Sequence, residues 1–196
     1  IELGCGGTIA KHVTKGDNVL AFVATDSGYK APNNEIVRTN EIALAEGKNA
    51  MEILNVKLYC GHFPTLEVEF NEDLNIKILD IIENNEIDIV YTHWIGDIHH
   101  DHQVLARASL HCARHIKRIL MYRSNWYHSS FEFRGNFYVD ITNYWDKKVE
   151  AIYAHKSELK RTHEKWLKFF RNEAEIAGQR IGVPLAEVFE VVKWLQ

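Results

Sequence analysis

Along this chain, short apolar runs of strand length alternate with amphipathic segments of helix length, and that alternation limits the folds open to it. Residues 4–12 open with glycines and read as a helix, stopped by Lys15, Gly16 and Asp17 ahead of the apolar strand 19–25. A polar loop over 26–34, with Gly28 and Pro32, leads into a long helical segment over 35–54 that ends at Asn55. The strand 56–60, a turn at 61–65 and the helix 74–83 follow, with Leu74, Ile78, Leu79 and Ile82 on one face of that helix. Residues 87–92 read as a fully buried strand. The spacing then predicts a helix over 103–116, strands at 119–122 and 137–141, helices near 144–159 and 162–177, and a last strand around 188–194.

Strands separated by helices imply parallel pairing through helical crossovers, hence a Rossmann-like, three-layer α/β fold with a mostly parallel sheet. In such sheets ligands gather at the carboxyl ends of strands. Residues 1–3 sit where the first strand should exit, with no strand before them, so the first strand is expected upstream of Ile1. The 196 residues suit one compact domain over 1–196. Against 27 acidic residues the 23 basic ones form no extended cluster, which excludes the electrostatic footprint of nucleic-acid binding. The three cysteines, Cys5, Cys60 and Cys112, lie far apart with no CxxC pair, which points to a reducing, cytoplasmic compartment. No apolar run approaches the roughly 18 to 20 residues that a membrane span needs.

The densest polar constellation is YTHWIGDIHHDH over residues 91–102, which gathers His93, His99, His100 and His102 with Asp97 and Asp101 at a strand's carboxyl end. Neutral imidazole and carboxylate are the ligands zinc prefers outside cysteine sites. A spacing of three places His99 and His102 on one side of an incipient helical turn. The alternative is a solvated loop that caps the helix, with Asp101 as the capping side chain.

Three blocks, IELGCGGTIAKH, DIVYTHWIGDIHHDHQVLARA and FYVDITNYWDKKVEAIYAHKSE, resemble in order the LmbE-like and PIG-L-like zinc-dependent N-acetylglucosaminyl de-N-acetylases. The resemblance implies a zinc-dependent hydrolase that removes an acetyl group from an N-acetylglucosamine-type sugar or conjugate by metal-activated water. It implies that His102 is a zinc ligand, that His99 faces the scissile carbonyl and steadies the oxyanion if protonated, and that Asp101 orients its neighbour. Another divalent cation could replace Zn2+. Family members carry a His-Pro-Asp-Asp motif that supplies two further ligands and the general base. Because Glu2 and Gly4 align with the residues that follow this motif, the resemblance places it ahead of Ile1, and a chain truly beginning at Ile1 is expected to be inactive.

Weaker signals remain. Gly4, Gly6 and Gly7 could cradle a phosphate, yet they do not spell GxGxxG after a strand, and close packing is the simpler use. Arg38 could grip substrate hydroxyls, against solvation at the surface. Trp94 could stack on a sugar ring, against core packing. The aromatic loop before Phe137 could line an acceptor site or a homo-oligomer contact. His155, in the HKSE segment, reads as positioning structure. The expected partner is a small-molecule acetylamino sugar or conjugate. A metal-dependent phosphohydrolase would need further carboxylates spaced for two metals. The alternative in another class is a non-catalytic carbohydrate-binding or scaffold member lacking the metal motif.

Overall fold

The computed structural model describes residues 1–196, and its contacts divide the chain into two compact units: residues 1–65 with 138–187, and residues 66–137 with 188–196. The first unit pairs β1 (Leu20–Thr25) in parallel with β4 (Lys57–Phe63), and β2 (Tyr29–Lys30) antiparallel with β3 (Ile36–Arg38). Around them stand α1 (Glu2–Thr14), α2 (Asn40–Leu54), α5 (Trp145–Tyr153), α6 (Lys156–Thr162) and α7 (Lys165–Ile181).

The opening helix is not continuous: Cys5 has non-helical φ/ψ of -143° and 16°, so the helix restarts at Gly6 with fresh unpaired amides. The Glu187 carboxylate fills that need, accepting from the Gly7 and Thr8 amides at 2.9 and 2.7 Å. Its charge is met by Lys148, only 2% exposed, whose Nζ lies 2.7 Å from Glu187 and 2.8 Å from the Leu3 carbonyl. The glycines here serve packing: a Cβ on Gly7 would sit 2.8 Å from Cβ of Ile141, which nothing but glycine permits.

The expected helix 35–54 begins later, at Asn40, because β-branched Ile36 and Val37 extend to pair with β2 and Thr39 caps the helix, accepting from the Ile42 amide. The loop 26–34 correspondingly contains β2, and the turn expected from residue 61 is strand as far as Phe63. The two expected C-terminal helices are three. Ser157 donates its amide and hydroxyl to Glu46 of α2 at 2.7 and 2.6 Å, which starts α6 as a new helix, and left-handed His163 and Glu164 separate α6 from α7.

The second unit holds α3 (Glu72–Asn84) and α4 (His100–Cys112), and its strands belong to a sheet of order β5-β6-β8-β7. The sheet's strands are β5 (Ile89–His93), β6 (Arg118–Tyr122), β7 (Phe137–Asp140), whose residues 138–140 belong to the first unit, and β8 (Ala186–Trp194), which belongs to the second from residue 188 on. Asn71 caps α3 by accepting from the Leu74 amide at 3.0 Å. Leu74 and Ile78 form the buried stripe of α3, whereas the first three residues of β5 are only half-buried, so that strand is not fully enclosed. β5 and β6 run parallel, but β8 lies antiparallel to β6. The mostly parallel sheet expected from helical crossovers is therefore mixed: the last strand inserts between β6 and β7, and no local pattern encodes its direction. No helix is long and apolar enough to cross a membrane.

Two outcomes follow. Leu74, 0% exposed, leaves a cavity when truncated, so Leu74→Ala should cost about 2–5 kcal/mol in denaturant unfolding. Burial works against the charge of Glu46, but the Ser157 hydrogen bonds and the Arg38 guanidinium outweigh it and hold its carboxyl below the ordinary 4.5. A depressed folded value means that this network stabilises fully above pH 4.5 and fades as the pH falls below it. Glu46→Gln should therefore flatten the acid limb of a stability-against-pH curve followed by circular dichroism, and lose about 1–3 kcal/mol at neutral pH.

Candidate metal and catalytic centre

His93 is the last residue of β5, and the chain leaves the strand there with one more sheet-like bond, from the Trp94 amide to the Tyr122 carbonyl at 2.8 Å. A tight turn follows. A Cβ on Gly96 would lie 2.5 Å from Cζ2 of Trp94, so glycine lets the indole fold beneath the turn. Asp97 then ends the turn by accepting from the His99 amide at 2.8 Å, while the Gln103 side chain bonds the Asp97 carbonyl from one turn into α4. This places His99 at the cap of α4 and His102 within its first turn, and their rings stack with centroids 4.4 Å apart.

His93, Asp97 and His102 come together, with ligand-type atoms within 4.8 Å of one another. Oδ2 of Asp97 meets Nδ1 of His102 at 3.1 Å, and the Asn125 side-chain amide donates to Oδ1. The His93 ring lies 3.8 Å from that of His102 and nearly parallel to it, and Nδ1 of His93 is 3.2 Å from the Ser124 hydroxyl. Burial, followed by the neighbouring His102 and His99, lowers His93 well below its ordinary 6.5, so it is a neutral stacking surface at pH 7. Burial likewise lowers His99, again with His102 opposing its charge. For Asp97 burial favours the neutral acid, but hydrogen bonds from His102 and the His99 amide prevail and keep the carboxylate charged. Nδ1 of His99 is buried and has no hydrogen-bond partner.

The structure gathers His99 and His102 as their spacing predicts. Asp101, 7% exposed, does not cap the helix: its carboxylate accepts from the Leu66 and Val68 amides at 2.8 and 3.4 Å and so anchors the segment before α3. His100 follows the same segment, with Nε2 2.9 Å from the Val68 carbonyl. Trp94 is packed, 5% exposed with Phe133 edge-on to its ring. Arg38, in the first unit, is 9% exposed and held 2.8 Å from Glu46 and 4.0 Å from Glu158, so its charge is met within the protein. Sequence reasoning noted His93 and Asp97 but gave them no part. Their available signals were a histidine closing an apolar strand and an aspartate two residues ahead of a helix cap.

The donor set suits a divalent cation. Imidazole and carboxylate are zinc-compatible, Oδ2 of Asp97 faces Nδ1 of His102, and the His102 side chain remains 27% exposed.

Residues 1–113 match the PIG-L family, described as GlcNAc-PI de-N-acetylase. An uncharacterized deacetylase, YaiS, of Escherichia coli is 31% identical over 173 residues, which span 80% of this chain and 85% of that protein. The diacetylchitobiose deacetylase of Thermococcus kodakarensis is 26% identical over 204 residues, 94% of this chain and 76% of its own length. In three dimensions, the N,N'-diacetylchitobiose deacetylase of Pyrococcus horikoshii shares the fold at a TM-score of 0.82 and 22% identity, over 97% of this chain and 79% of that one. The motif order, the strand-to-helix histidine lip and these matches converge: the chain belongs to the PIG-L family.

Proposed function

We propose that this protein is a metal-dependent N-deacetylase that hydrolyses the acetamide of an N-acetylglucosamine-type sugar or sugar conjugate. The observation that carries the reading is the pairing of His102, backed by a buried carboxylate, with His99 stacked beside it at the carboxyl end of β5. Relatives of known activity among the matches deacetylate diacetylchitobiose, which supports an acetylamino sugar as substrate.

In this reading His102 would help to hold the ion, and zinc is the first candidate for a site of imidazole and carboxylate character. When bound, such a cation polarises the amide carbonyl and makes a water nucleophilic near neutral pH. His99 supplies a hydrogen bond to the carbonyl oxygen as negative charge develops there. Burial keeps its ring neutral, so it donates a single N–H and not the charge of an imidazolium. Its unpartnered Nδ1 marks a polar ring held beside the cluster at a cost in solvation. Asp101 acts at one remove, fixing the 66–68 segment against the first turn of α4. The thiols of Cys5, Cys60 and Cys112 are free, which fits a reducing, cytoplasmic setting.

Acetate release from N-acetylglucosamine, diacetylchitobiose and an N-acetylglucosaminyl conjugate, measured on protein that carries the His-Pro-Asp-Asp motif the resemblance implies, tests the reaction. Chelation should abolish turnover and Zn2+ should restore it. His102→Ala should lose both bound metal and activity, whereas His99→Ala should keep the metal and lose about 100- to 1,000-fold in kcat. Turnover indifferent to chelator, or full metal content in His102→Ala, would overturn the reading.

A further inference from the structure

Proximity alone makes His93, Asp97 and His102 look like three equivalent metal ligands. The hydrogen bonds separate their roles. Both oxygens of Asp97 are in use: Oδ1 accepts from the His99 amide at 2.8 Å and from the Asn125 side chain, and Oδ2 faces Nδ1 of His102 at 3.1 Å. The Asp97 side chain is 0% exposed, whereas that of His102 is 27% exposed. A carboxylate with no exposed surface and a partner on each oxygen has no open face for an ion arriving from solvent. His93 is 8% exposed, and its Nδ1 lies against the Ser124 hydroxyl.

We infer that Asp97 is a positioning residue and not a ligand: it pins the proton of His102 on Nδ1 and thereby leaves Nε2 without a proton, ready for a cation. The inference rests on the metal-dependent reading of this site and deepens it. A neutral imidazole carries one proton, and a carboxylate facing Nδ1 decides which nitrogen has it. Asp97 is itself clamped, by the backbone of the turn through the His99 amide and by the loop after β6 through Asn125. His93 and His99, stacked on His102 at 3.8 and 4.4 Å, hold the plane of the ring, so the carboxylate has only the tautomer to set. An ion seated on His102 therefore draws its other ligands from groups other than Asp97.

The test begins on metal-free wild-type protein, with long-range 15N–1H NMR of the histidine rings at a pH where His102 is neutral. The expected result is the Nδ1–H tautomer at His102. Asp97→Asn turns an amide N–H2 or a weaker carbonyl toward that ring; it should shift the proton toward Nε2 and weaken Zn2+ binding about 10- to 100-fold in chelator competition. A wild-type His102 protonated on Nε2 overturns the inference, as does an Asp97→Asn protein with unchanged tautomer and Zn2+ affinity. Should Asp97→Asn fail to fold, the wild-type tautomer decides alone. Protein that carries the His-Pro-Asp-Asp motif and still takes up no Zn2+ would sink the hydrolase reading, while the tautomer, measured without metal, still decides what Asp97 does.

Discussion

The first unit depends on a carboxylate almost closed to water. Glu187 joins two amides of α1 to the ammonium of Lys148 on α5, and so ties together chain segments about as far apart in sequence as the protein allows. A buried pair of this kind adds little compared with apolar packing, but losing one partner strands the other charge and typically costs about 3–5 kcal/mol. Its value here is directional. Greasy contacts would tolerate rotation of α1, whereas a carboxylate reaching the Gly7 and Thr8 amides while meeting Lys148 tolerates none. The close approach of Gly7 to Ile141, whose side chain belongs to the cluster with Trp145, Ala174 and Leu185, completes that restraint.

The second unit uses the same physical device on a smaller scale. Asp97 gathers a backbone amide, an asparagine and a histidine around one carboxylate, and the result is a turn whose shape and chemistry are set together. Stacked neutral imidazoles crowd one strand end because burial keeps protons off His93 and His99; three cationic rings at such distances would repel one another.

Much of this was legible in the amino-acid order. Periodicity located β1, β6, α1 and α3 to within a few residues, since each buries one stripe or one face and ends at a polar stop. The strand-to-helix lip with His99 and His102 was visible because a spacing of three has one meaning on a helix. What escaped was set by distant partners. The break between α5 and α6 has no glycine or proline to announce it, and arises because Glu46, more than a hundred residues away, takes the Ser157 amide. The direction of β8 depends on where the chain re-enters the sheet. Asp97 was hidden for a related reason: an aspartate before a helix looks like any cap until its second oxygen is seen against His102. For Arg38 and Trp94 residue type suggested ligand contacts, and the structure adds partners within the protein, Glu46 for the guanidinium and Phe133 for the indole.

Asp101 reads the main chain of residues 66 and 68 and not their side chains. The two positions differ sharply in surroundings, Leu66 being 58% exposed and Val68 0%, yet each contributes the same peptide group. Sequence drift in that stretch is thus free in chemistry and constrained in spacing. Any residue except proline can supply the needed N–H, but a single insertion or deletion would slide the wrong peptide under the carboxylate and be felt one helical turn away, at the imidazoles.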